Sequence, residues 1–167
     1  FSINPFSLAP THENQNFLYL FLRVLIEGQG RYTLTGDDEK ALFAAIERIY
    51  KLPAEIRTLS NFASIIGPLG ERLQRWIGNG QFGYLFATVE DPLTFARFQT
   101  FNYDGWSDYP DVLEPFLFYI LQRASSEIEK AANVATFKVF LADEAAIFLK
   151  NPIIRDWVIR AERTWRK

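Results

Sequence analysis

The 167-residue sequence has no cysteine, no methionine and a single histidine, His12. Without thiols it can form neither disulfides nor thiolate metal sites, and it suits a reducing compartment. One imidazole builds no multi-histidine metal centre and no His-based triad unless a second chain contributes, so His12 reads as a surface residue at the start of a helix. Long hydrophobic runs are also missing. A bilayer span takes roughly 18 to 20 apolar residues, and the longest candidate, FLYLFLRVLI, is short and carries Arg23. Nor does one sign of charge dominate. A net charge of −2 and a pI near 5.5 give no global electrostatic reason to bind nucleic acid or an acidic membrane surface. The chain opens at Phe1 with no initiator Met and no signal-like basic start, which predicts a piece of a longer protein.

Apolar residues are plentiful. They make up 49% of the chain, with sixteen Phe, seven Tyr and four Trp, which excludes a disordered polymer and predicts an aromatic-rich core. The length is that of one domain with one core. Prolines 5 and 10 mark residues 1–10 as an extended lead-in. Thr11 caps a helix that runs to about Glu27, where Gly28 and Gly30 stop it. TGDDEKALFAAIERIYKLP is the clearest helix: Thr35 and Asp38 fit a capping box, three acidic residues favour its positive end, and Pro53 ends it. Its buried stripe is Leu42, Ala45, Ile46 and Ile49. Two shorter helices follow, about Leu59–Ile66 and Leu69–Ile77, so residues 11–78 read as a helical subdomain.

From residue 79 the texture changes. FGYLFATV and ARFQTFNY are short and rich in β-branched and aromatic residues, as strands are. Pro110 to Ala132 reads as a helix, with Leu113, Phe116, Leu117, Ile120 and Leu121 inward and Pro115 tolerable only in its first turn. TFKVFLA reads as a strand buried on both faces. Asn151 then caps and Pro152 opens a last helix, whose apolar face is Ile154, Trp157, Val158, Ala161 and Trp165. Strand, helix, strand, helix predicts an α/β layer over residues 79–167.

The buried strand runs into Asp143 and Glu144. In an α/β sheet the residues after such a strand lie at the carboxyl edge, where these folds bind ligands. In P-loop nucleotide hydrolases an Asp there holds magnesium, and an adjacent Glu orients and deprotonates the attacking water. The simpler reading is a strand end and a turn. A phosphate-cradling loop, G-x-x-x-x-G-K-[ST], must accompany the pair, and the chain contains no Gly-Lys dipeptide. Either the loop lies upstream of Phe1 or the hydrolase reading is wrong.

INPFSL, PTHENQNFL, RTLSNF, GNGQFGYLF, RFQTFNYDGW, VLEPFLFYILQR, FKVFLADEA and IIRDWVIRAERTWRK follow one another in the chain. In this order and spacing they resemble the conjugal-transfer and type IV secretion ATPases of bacteria. The resemblance covers nearly the whole chain. It implies a partial RecA-like P-loop NTPase sheet with a helical insertion, Asp143 as the magnesium ligand, Glu144 as the catalytic base, and ATP and Mg2+ as cofactors of the parent protein. It further implies a hexameric motor on the cytoplasmic side of the inner membrane, beside other type IV secretion proteins, with the phosphate loop before Phe1 and the isolated chain inactive. Three positions depart from the family pattern: Ala87 stands where Asp is expected, Ala142 where a large aliphatic residue is, and Ala146 where Trp is.

Other features are weaker. GNGQFG satisfies the dinucleotide pattern G-x-G-x-x-G but follows a helix and precedes a strand, the reverse of what that motif needs, so it reads as a helix stop and turn. The last helix carries Arg155, Arg160, Arg163, Arg166 and Lys167 opposite its Trp stripe. They read as a solvated face, with an arginine reaching a neighbouring subunit's nucleotide as the sharper alternative; contacts to DNA draw no support from the acidic total. The rival function is a non-catalytic interaction module that docks onto secretion-channel proteins, with Asp143 and Glu144 merely ending a strand.

Overall fold

The computed structural model describes residues 2–103, 105–106, 109–130, 139, 141, 143, 146 and 148–165. Where length alone predicts one core, the chain divides into two compact units, Phe1–Thr94 and Phe95–Lys167. Three threonines start the helices of the first unit. Thr11 Oγ1 accepts from the Asn14 amide at 3.2 Å and opens α1 (His12–Glu27). Thr35 and Asp38 close the expected capping box at the head of α2 (Gly36–Tyr50), with Thr35 N donating to Asp38 Oδ2 at 2.9 Å and Asp38 N to Thr35 Oγ1 at 3.2 Å. Thr58 caps α3 (Leu59–Ile65) in the same way. Each such cap satisfies an amide the helix itself cannot and contributes about 1 kcal/mol.

The predicted stripe of α2, Leu42, Ala45, Ile46 and Ile49, is buried, and α2 packs on both α1 and α3. After α3 the chain winds as a 3-10 helix, Gly67–Trp76, rather than the α-helix expected from Leu69. Two glycines in four residues disfavour an α-helix there. Gly70 also lets this stretch lie against α3, since a Cβ on it would sit 2.0 Å from the Ala63 carbonyl oxygen.

The lead-in is pinned to this unit side chain by side chain. Asn4, 2% exposed, donates from Nδ2 to the carbonyls of Arg57 (2.9 Å) and Val89, and accepts at Oδ1 from the Phe6 amide at 3.1 Å. The Ile3 amide donates to the Leu85 carbonyl at 2.8 Å, the Phe6 ring stacks on Phe62 at 5.1 Å, and the Tyr50 hydroxyl donates to the Leu8 carbonyl at 3.0 Å.

The structure corrects the expected fold class. The described residues are helical and contain no strand, so the partial RecA-like sheet is not what they form. FGYLFATV instead holds a 3-10 turn, Gly83–Phe86. Its amides are spent locally, Gly83 N on Gly80 O (3.0 Å) and Leu85 N on Phe82 O (3.1 Å), and are not available to a ladder. A Cβ on Gly83 would lie 2.2 Å from the Gly78 carbonyl oxygen, so the GNGQFG loop closes on itself as a tight turn. ARFQTFNY forms no regular element, and its Phe98 is 86% exposed. TFKVFLA falls mostly outside the described residues; the two that are described, Val139 and Leu141, are 67% and 88% exposed rather than buried. β-branched and aromatic residues report a preference for a half-buried pleated surface, not an intrinsic backbone choice. Here the aromatics find burial on helices and 3-10 turns.

In the second unit α4 (Pro110–Glu129) packs against α5 (Pro152–Trp165) and against the 3-10 turn Phe148–Lys150. Pro115 lies beyond the first turn of α4, inside the helix, contrary to expectation. It forgoes the bond to the Asp111 carbonyl, and interior prolines cost about 3 kcal/mol. Burial on both sides of it offsets that cost: Val112, Leu113, Phe116, Phe118, Tyr119, Ile120 and Leu121 are all buried. α4 is thus apolar over more of its circumference than a single stripe, as in a helix enclosed by its surroundings. From α5, Ile154, Trp157 and Ala161 are buried as predicted, and Trp157 meets Phe118 edge-on at 5.6 Å.

Candidate functional site

Of the predicted carboxylate pair, Asp143 is exposed and lies in a turn; Glu144 lies outside the described residues. Five residues beyond Asp143 begins the 3-10 turn Phe148–Lys150, and α5 follows at Pro152. Asn151 joins the two. Its Oδ1 accepts from the Ile153 amide at 3.0 Å and its carbonyl from the Arg155 amide at 3.0 Å, which is the capping role the sequence predicts for it.

Sequence reasoning missed the other half of this arrangement. Asn151 Nδ2 donates to Glu114 Oε2 at 3.1 Å, and Glu114, on α4, is only 6% exposed. A buried carboxylate is costly unless hydrogen bonded. The signal in the sequence was a lone charge inside VLEPFLFYIL, one position from the inward-facing Leu113.

Elsewhere on α4, burial pushes the Arg123 guanidinium below its ordinary value against the opposing pull of Glu127, and Arg123 Nη1 donates to the Tyr119 hydroxyl at 3.3 Å. Burial likewise pushes the Tyr103 phenol up. Arg155 and Arg160 are exposed on α5, and Arg155 Nε lies 3.5 Å from Asp156 Oδ1. The side chains of Arg163, Arg166 and Lys167 lie outside the described residues.

In the first unit His12 is exposed as the first residue of α1. A shallow cleft there is lined by Tyr32, Asp38, Leu69, Glu71 and Arg72. Its groups are engaged with one another: the Arg72 guanidinium stacks on Tyr32 at 3.7 Å, and the Tyr32 hydroxyl donates to Asp38 Oδ2 at 2.6 Å. Among the described residues no three His, Cys, Asp or Glu side chains group to hold a metal.

No family model matches the chain. Known proteins do. Over 98% of its length the chain is 25% identical to the type IV secretion system protein virB4 of Brucella suis, of which the match covers 21%. Protein virB4 of Agrobacterium tumefaciens is 26% identical over 89% of the chain and 20% of its own length, and its Bartonella henselae counterpart is 24% identical over 88% and 22%. The chain thus spans about a fifth of the length of the curated relatives it matches. Across nearly its whole length the chain is similar to virB4 proteins from three genera.

Proposed function

We propose that this chain is part of an ATP-hydrolysing motor that drives type IV secretion or conjugative DNA transfer, with Asp143 as its magnesium ligand and Glu144 as its catalytic base. The observation that carries the reading is the likeness to VirB4 proteins along 98% of the chain, which takes in the Asp-Glu pair. When bound with ATP, magnesium would neutralise charge developing on the phosphate oxygens.

What supports that role for Asp143 is its exposed carboxylate in a turn. Magnesium is usually held by one or two carboxylates together with substrate phosphates rather than by an all-protein cage, so the reading asks for no cluster of three ligands. Glu144 takes the proton of the water that attacks the terminal phosphate. The grip on the phosphates has to come from outside these 167 residues, which contain no Gly-Lys dipeptide. The chain by itself is therefore expected not to turn over ATP.

The same reading makes the working form a homo-hexamer at the cytoplasmic face of the inner membrane. No helix among the described residues is long and apolar enough to cross a membrane, and attachment is assigned to other proteins of the secretion complex.

The test is ATP turnover of the full-length protein with Glu144 intact and with Glu144→Gln. The expected result is a loss on the order of a hundredfold or more with nucleotide binding retained. Equal turnover in both, or none in either, would sink the motor reading and favour a non-catalytic docking module.

A further inference from the structure

We infer that Arg72 is a preformed docking point for a partner protein, receiving an exposed Asp or Glu side chain of that partner in the cleft of the first unit. The inference does not rest on Asp143 or Glu144. Arg72 stands on a series of fixed groups, each held by the one before. Thr35 and Asp38 lock each other at the head of α2. Asp38 Oδ2 also takes the Tyr32 hydroxyl at 2.6 Å, which sets the phenol ring in place. The Tyr32 and Thr35 donors hold the Asp38 carboxyl below its ordinary value, so this clamp is charged at neutral pH. Over that ring lies the Arg72 guanidinium, 3.7 Å from its centre. The backbone that carries Arg72 is fixed as well, because Leu69 and Leu73 on either side of it are buried.

A guanidinium stacked in this way uses its face on the ring and leaves its N–H groups, which lie in its plane, pointing outward. Among the described residues none of them has a hydrogen-bond or ion-pair partner. The ordering of a long side chain, which a site otherwise brings about at the moment of contact, is already done. A carboxylate fits such a fork, since its two oxygens match two parallel N–H groups. A polyanion does not fit the surroundings, because Asp38 and Glu71 line the same cleft and repel it. A single carboxylate brings one charge, and Pro68 and Leu69 offer apolar surface to its stem. The cleft, of about 460 Å3, has room for one. Glu71 is exposed and likewise has no partner among the described residues, so a cation beside the incoming carboxylate finds its counter-charge there. The occupant is therefore a protein segment that carries an acidic and a basic side chain close together.

Saturation-transfer NMR on the full-length protein tests this, with the short peptide acetyl-Leu-Glu-Lys-amide as the probe. The expected dissociation constant is on the order of millimolar. The neutral counterpart, acetyl-Leu-Gln-Lys-amide, should bind at least about tenfold more weakly, since it lacks the charged acceptor. Arg72→Lys keeps the charge but loses the fork and the stack, and should weaken the Glu peptide about tenfold. Arg72 is exposed, so this variant should keep the parent's melting midpoint to within about 2 °C. No binding of the Glu peptide at about 10 mM overturns the docking point. Equal binding of the Glu and Gln peptides overturns it too, as does equal binding of the Glu peptide by the parent and Arg72→Lys. Displacement of the Glu peptide by inorganic phosphate at about a tenth of the peptide concentration overturns the carboxylate as occupant and makes the cleft a phosphate site.

Discussion

Replacing Asn4 with Ala tests how the first unit is held together. Asn4 is 2% exposed, and its side chain makes three hydrogen bonds: to the Arg57 carbonyl, to the Val89 carbonyl and from the Phe6 amide. Alanine removes all three and supplies no replacement. The Phe6 amide bond is fully buried, so its donor bears most of a desolvation cost of about 1 to 3 kcal/mol. The two carbonyl bonds are part-buried, and each carbonyl can turn toward water, so each is expected to cost only the net value of a hydrogen bond, about 1 kcal/mol. The sum is about 3 to 5 kcal/mol. At about 2 to 4 °C per kcal/mol for a chain of this size, the melting midpoint should fall by roughly 6 to 20 °C. Circular dichroism melts of the parent and the Asn4→Ala variant measure this directly. A fall of less than about 2 °C would refute the reasoning, because it would mean that the lead-in contributes little to the folded unit.

Gly70→Ala should destabilise by about 1 to 3 kcal/mol, since the added Cβ would meet the Ala63 carbonyl oxygen at 2.0 Å and backbone must shift to admit it; a urea midpoint equal to the parent's would contradict the close approach. Tyr50 gives a pH dependence. Burial raises its phenol from 10.0 to about 12 in the folded chain, so the unfolded chain releases this proton first as pH rises. The contribution of Tyr50 is therefore whole below pH 10 and lost as pH climbs toward about 12. Tyr50→Phe, which also loses the bond to the Leu8 carbonyl, should be less stable than the parent at neutral pH, with the gap closing over that alkaline window. A gap that stays constant through it would show that Tyr50 ionises as freely in the folded chain as in the unfolded one.

The helices of the first unit were legible because their signals are local. Thr35 and Asp38 lie three residues apart and satisfy each other, and the Leu42–Ile49 stripe repeats at helical spacing. Strands carry no comparable local signal. FGYLFATV has the composition of one, yet the tight approach of Gly83 to Gly78 commits its backbone to turns, and composition does not encode that proximity. Asn151 was legible as a cap because the group it caps lies two residues away. Its bond to Glu114 spans 37 positions, and no pattern within a single helix announces it. Asn4 is similar: read as part of an extended lead-in, it turns out to join positions 53 and 85 residues downstream.

Those separations bear on the order in which the unit can assemble. The residues that hold the lead-in belong to Tyr50, Arg57, Phe62, Leu85 and Val89, so its seat does not exist until nearly the whole of the first unit has been made. Such distant pairings carry a loop-closure entropy that local helices do not, and they slow folding. On a ribosome α1, α2 and α3 can form while residues 2–8 still wait. The earliest part of the unit to be synthesised is then the last to be placed, and its arrival marks the moment at which the unit is complete.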